Sequence, residues 1–146
     1  MFSLIITIIS IALVAVLALA TLYYGGDAFN RGSAGAEAAR LINEGQQVNA
    51  AVTMAGVDEA TLSDIDALVT GKYLAQVPGK FLGDASVTGA AVTSTGVPDN
   101  VCIEVQFKVT GTKPADMAAV GATKQPGQLY GCYGAGSNNN TFFYNL

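Results

Sequence analysis

The chain opens MFSLIITIISIALVAVLALATLYYGG (residues 1–26), and no side chain in that stretch carries a charge. All seven Lys/Arg and all eleven Asp/Glu lie at or after Asp27. As an α-helix, Met1–Tyr24 would be about 36 Å long at 1.5 Å per residue, against a hydrocarbon core of about 30 Å. Nothing interrupts that rod: it has no Pro, and no Gly before Gly25. Ala12, Ala15, Ala18 and Ala20 stand among Ile, Leu and Val, and such small residues let helices approach closely. The segment is expected to span a membrane or to pack among other apolar helices.

Ala18-Leu19-Ala20 has the form of a signal-peptide cleavage site. The segment lacks the positive n-region that a secretory signal carries. A plain single-span anchor stays open, although the Lys/Arg that usually fix orientation do not flank it. A span that starts at the first residue is what removal of a charged leader would leave, with Met1 as the mature terminus. Gly25 and Gly26 end the apolar run. Each costs a helix about 1 kcal/mol relative to Ala, so a break is expected there. The organisation read from these residues is an apolar helix over 1–26 and a globular domain over 27–146.

The second part has ordinary soluble composition and is long enough to bury a modest core. Ala34, Ala38, Leu41, Gly45, Val48, Val52 and Ala55 recur at intervals of three and four, one apolar stripe of an amphipathic helix. Arg31, Glu37, Arg40, Glu44 and Gln47 fall off the stripe, which is expected to pack on a sheet. Ser63-Asp64-Ile65-Asp66 reads as a helix start, Leu62, Ile65, Leu68 and Val69 as its apolar face, and Gly71 as its stop. Strands are expected at 86–95, 101–109, 129–134 and 141–146. In the second, Val101, Ile103, Val105, Phe107 and Val109 alternate with Cys102, Glu104, Gln106, Lys108 and Thr110, which puts Cys102 on the polar face. Residues 114–121 read as a short helix, with Pro near its start and Gly at its end.

The net charge is −4 and no run of Lys/Arg exists, so nucleic acid is not an expected partner. There is no His, which removes the commonest general base and metal ligand and rules out a Ser-His-Asp triad. No enzyme activity, cofactor or metal site is expected. Asp58-Glu59 and Asp64/Asp66 lack the spacing of a calcium loop and read as solvated helix ends. Asn139-Asn140-Thr141 has the form of a glycosylation sequon. Tyr130, Tyr133, Phe142, Phe143 and Tyr144 read as core or inter-subunit packing. Cys102 and Cys132 are the only cysteines. Joined, they would constrain the unfolded chain by about 3–4 kcal/mol and fit an oxidising compartment; two free thiols are the alternative.

Residues 1–54 resemble the N-terminal helix of a type IV pilin, particularly the type IVb kind, whose mature chains can begin with Met. LVTGKYLAQVP (68–78) resembles the LvxxGYL…P segment that follows the long helix in that family, and NNNTFFYNL (138–146) resembles its C-terminal strand. The resemblance implies an α+β fold in which a long N-terminal helix, its apolar half protruding, packs on a roughly four-stranded antiparallel sheet. It implies an N-methylated Met1, and a C-terminal region bounded by a Cys102–Cys132 disulfide. It implies a filament core packed by Leu4, Ile5, Ile8, Ile9, Ile11, Leu13, Val14, Val16 and Leu17.

The function so implied is that of a structural subunit in a bacterial cell-surface filament. The subunit would wait in the inner membrane and be assembled by pilus machinery into a helical homopolymer of identical subunits, serving adhesion, twitching motility, DNA uptake or phage attachment, among which the sequence does not choose. A type II secretion pseudopilin, a minor pilin and a membrane-anchored periplasmic binding module are the alternatives. Most pilins carry Glu at mature position 5, where this chain has Ile5, or Ile6 if counted from Phe2. Ser3, Thr7 and Ser10 then either bond within the bundle or satisfy carbonyls of their own helix.

Overall fold

A computed structural model describes residues 2–60, 64–81, 86–88 and 91–146. The chain divides into two compact units, Met1–Ser33 and Ala34–Leu146. The second therefore begins later than the Asp27 boundary read from charge.

One helix, α1 (Phe2–Val57), belongs to both. The break expected at Gly25 and Gly26 is absent, because the helix runs through both residues without interruption. Long helical segments flank the pair on either side. Propagating through two glycines costs about 1 kcal/mol apiece, whereas ending the helix would strand backbone groups and require a second nucleation.

The second unit is α+β. After α1 come α2 (Ile65–Thr70), a 3-10 turn (Gly79–Phe81), β1 (Ser86–Thr88) and β2 (Ala91–Val97). Then follow α3 (Asp99–Thr110), α4 (Met117–Val120), β3 (Tyr130–Tyr133) and β4 (Asn140–Asn145). Strands β2, β4 and β3 form a small antiparallel sheet with β4 in the middle, and the three-residue β1 lies along the outer side of β2. The stretch 86–95, read as one strand, is thus two strands paired with each other.

The stripe on α1 does what its spacing requires. Ala34, Ala38, Leu41, Val48 and Ala55 are buried, and a Cβ added to Gly45 would lie 2.9 Å from Cδ2 of Tyr144 on β4. Small residues let the helix settle close on the sheet, over Phe142 and Tyr144. Leu68, Phe81, Val92, Val105 and Phe142 complete one continuous core. Each large side chain there contributes about 1.5–3 kcal/mol by leaving water. Ala51 and Glu44 are buried beside the stripe, and Glu44 accepts a bond from Arg40 Nε (2.6 Å) rather than facing open solvent.

The strand expected at 101–109 is a helix. Val101, Cys102, Val105 and Gln106 are the buried residues of α3, which is a 3.6-residue period, while Phe107 of the expected apolar face is exposed. The β-branched content favoured a strand only as context allowed. Start and stop signals decide against it. Pro98 takes the N-cap position, Asp99 sits in the first turn, and Gly111 closes the last turn at φ 73° with its N–H donating to Phe107 O. Cys102 is accordingly fully buried, not on a polar face.

The signals at α2 were read correctly, whereas the helix within 114–121 is shorter than expected, Met117–Val120, and begins after Asp116 rather than at Pro114. Asp64 caps α2 by accepting from Ala67 N at 2.9 Å, Ile65 and Leu68 are buried, and Gly71 is the C-cap. Leu62 and Ser63 lie outside the described residues. α4 is capped by Asp116, which accepts from Ala119 N at 3.0 Å, and ends at Gly121.

Candidate assembly surface

The first unit is a helix with apolar side chains on every side. At 100° per residue, Leu4, Ile5, Ile8, Ile9, Ile11, Leu13, Val14, Val16 and Leu17 are distributed around the whole circumference. All nine are exposed in the single chain; Ile5 and Ile9, the least so, are 53% exposed. A helix that is hydrophobic all round belongs inside a membrane or inside a larger packed assembly. Among the described residues one helix is long and apolar enough to cross a membrane, with a most apolar 18-residue window of mean hydropathy 2.9. Met1, whose terminus the resemblance implies to be methylated, lies outside the described residues.

The helix also carries one distinct face, which composition alone did not disclose. Ser3, Thr7, Ser10, Thr21, Gly25, Ala28 and Gly32 fall within about 60° of one another on a 3.6-residue wheel. Every Ser and Thr of the uncharged segment is on this face. The hydroxyls of Thr7, Ser10 and Thr21 donate to Leu4 O, Ile6 O and Ala18 O at 2.8–2.9 Å. They are therefore satisfied by their own helix and bring no unpaired polar group into an apolar environment. Gly25, Gly26 and Gly32 have open space where a Cβ would stand. The result is a seam of small side chains in two stretches, Ser3 to Ser10 and Thr21 to Gly32, with Val14 on the same face between them and Gly26 off it.

In the second unit, Cys102 on α3 and Cys132 on β3 form a disulfide with Cα atoms 5.4 Å apart. Both are fully buried, so the bond fastens α3 against the sheet from inside the core. A second fastening was missed by sequence reasoning. Asp99 Oδ1 accepts from Asn138 N (2.9 Å) and Asn140 Nδ2 (2.7 Å), and Asp99 N donates to Asn138 Oδ1 (3.1 Å). Asn140, fully buried, also donates to Val97 O (3.0 Å) and accepts from Gly136 N (3.1 Å). This clamp holds Ser137 and Asn138 at φ 66° and 56°, a left-handed conformation that non-glycine residues seldom adopt. The bond from Asn140, with the Asn138 amide next, holds the Asp99 carboxyl below the usual aspartate range against an opposing desolvation effect.

The other candidates resolve into structure. Tyr73 donates its hydroxyl to Asp58 Oδ2 at 3.0 Å, and that bond raises the Tyr73 phenol above its ordinary value. Among the described residues no group of three or more His, Cys, Asp or Glu is placed to hold a metal ion. Phe142, Phe143 and Tyr144 are buried. Tyr130 stacks on Tyr144 with centroids 5.9 Å apart, and Lys124 lies over the Phe143 ring at 5.0 Å. An open hollow of about 580 Å³ lies between α1 and the 75–79 segment, lined by Arg40, Asp66, Thr70 and Gln76 among others. Compared with protein-family models, with curated proteins and with solved structures, the chain matches none.

Proposed function

We propose that the chain is a structural subunit of a type IV pilus-like filament on a bacterial cell surface, with a pilin-like head. Identical copies would leave the inner membrane through an assembly machinery and bundle their N-terminal helices into a filament core. The observation that carries the reading is the all-round apolar helix, exposed in the single chain, with a seam of Ser, Thr, Gly and Ala along one face. Such a seam supports close helix–helix approach where lipid or apolar side chains surround the rest. The second unit supports the reading in a different way. It has a stripe of small residues from α1 laid on an antiparallel sheet, and a disulfide suited to an oxidising compartment.

The test is electron microscopy of material sheared from the cell surface, with mass spectrometry to identify its subunit. Thin fibres built from this chain are expected. A chain recovered only as detergent-bound monomer, with no fibres, would leave a membrane-anchored module instead.

A further inference from the structure

Residues 138–140 are three asparagines in succession, and the fold uses two of them. Asn138 exchanges hydrogen bonds with Asp99. Asn140 is fully buried and bonds Val97, Asp99 and Gly136. Asn139, between them, is exposed and lies outside any helix or strand. No partner for its side chain occurs among the described residues. It is also the first residue of Asn139-Asn140-Thr141, the asparagine–X–threonine pattern of glycan acceptors. Of the eight asparagines in the chain, it alone has Ser or Thr two positions later.

We propose that Asn139 accepts an N-linked glycan, donated by a lipid diphosphate-linked oligosaccharide outside the cytoplasm. This rests on the reading that the second unit is exported. In the transfer, Asn139 Nδ2 attacks C1 of the first sugar. The N–C1 bond forms as the C1–O bond breaks, lipid diphosphate leaves, and the amide proton passes to a base on the transferase. No oxidant or reductant is involved. A bulky hydrated group at Asn139 displaces no native contact, whereas the same group on Asn138 or Asn140 would destroy the Asp99 clamp. Thr141 is half-buried and paired opposite Tyr133, so its hydroxyl is most open to a transferase before β3 and β4 join.

The experiment is mass spectrometry of the reduced tryptic peptide 125–146 from protein purified out of its native source. It is run on the wild type, Asn139→Gln and Thr141→Val, each expressed there. The wild-type peptide is expected to be heavier than its sequence by whole sugar residues placed on Asn139. Both variants are expected at the unmodified mass, and Asn139→Gln is expected to melt with the unglycosylated wild type. A wild-type peptide bare at Asn139, or a sugar that persists in Asn139→Gln, overturns the proposal. Fibres with a bare Asn139 would remove this inference and leave the filament reading. A sugar on Asn139 of a chain that makes no fibres would do the reverse.

Discussion

Two residue-scale devices hold the second unit's C-terminal half, and they respond to different conditions. The Cys102–Cys132 bond closes a loop in the unfolded chain, so Cys102→Ser or Cys132→Ser should lower stability by about 3–4 kcal/mol. Urea midpoints of oxidised wild type and variant measure this, and an unchanged midpoint would show that the crosslink carries no weight. Asp99 responds to acid. Its carboxyl titrates below its ordinary value in the folded chain because Asn140 and Asn138 donate to it. The clamp's contribution is therefore complete above the ordinary aspartate range and drains away as pH falls through the lower, folded value. Asp99→Asn keeps an acceptor oxygen but cannot titrate. Its midpoint should lie below wild type at neutral pH, and the gap should close in strong acid. A constant gap from pH 7 to pH 2.5 would show that Asp99 is not the titrating group.

At the scale of elements, close approach is the controlling variable on α1. Gly45 sits under Tyr144 and Phe142, so Gly45→Val should overpack the helix–sheet contact and cost about 1–3 kcal/mol. Gly25→Ala meets open space and should strengthen the helix by up to about 1 kcal/mol. Circular dichroism melts in detergent separate the two, and equal melting shifts would contradict the contact. The same element shows what the sequence made legible. The α1 stripe could be read because its residues recur with a single helical period and join one continuous core. The seam from Ser3 to Gly32 was missed because it is marked by small size, which hydropathy does not register. Helix α3 was misread because Val, Ile and Phe alternate by chance over a segment whose burial is set by Cys102 and Gln106. Its Pro98, Asp99 and Gly111 were the available signals. The Asp99 clamp joins residues 39 positions apart, and no local pattern announces such a pair.

For the whole molecule, the decisive property is that its most apolar stretch is exposed among the described residues. Val14 lies in the middle of that stretch and is 66% exposed. It belongs to the unit Met1–Ser33, while the buried core belongs to Ala34–Leu146. Val14→Asp therefore removes nothing from the core, and the melting of the second unit should match wild type. In a filament the same carboxylate would be enclosed by apolar side chains of neighbouring copies. There it would lack a partner, and desolvating it costs far more than the packing of one valine returns. Fibres should consequently disappear from sheared surface material while the chain remains detectable in the membrane fraction. A Val14→Leu control, which alters volume without charge, should assemble. Val14→Asp fibres at normal abundance would mean that this part of the helix stays wet in the assembled state. The apolar rod would then serve as an anchor only, and subunit contacts would have to be sought on the surface of the second unit.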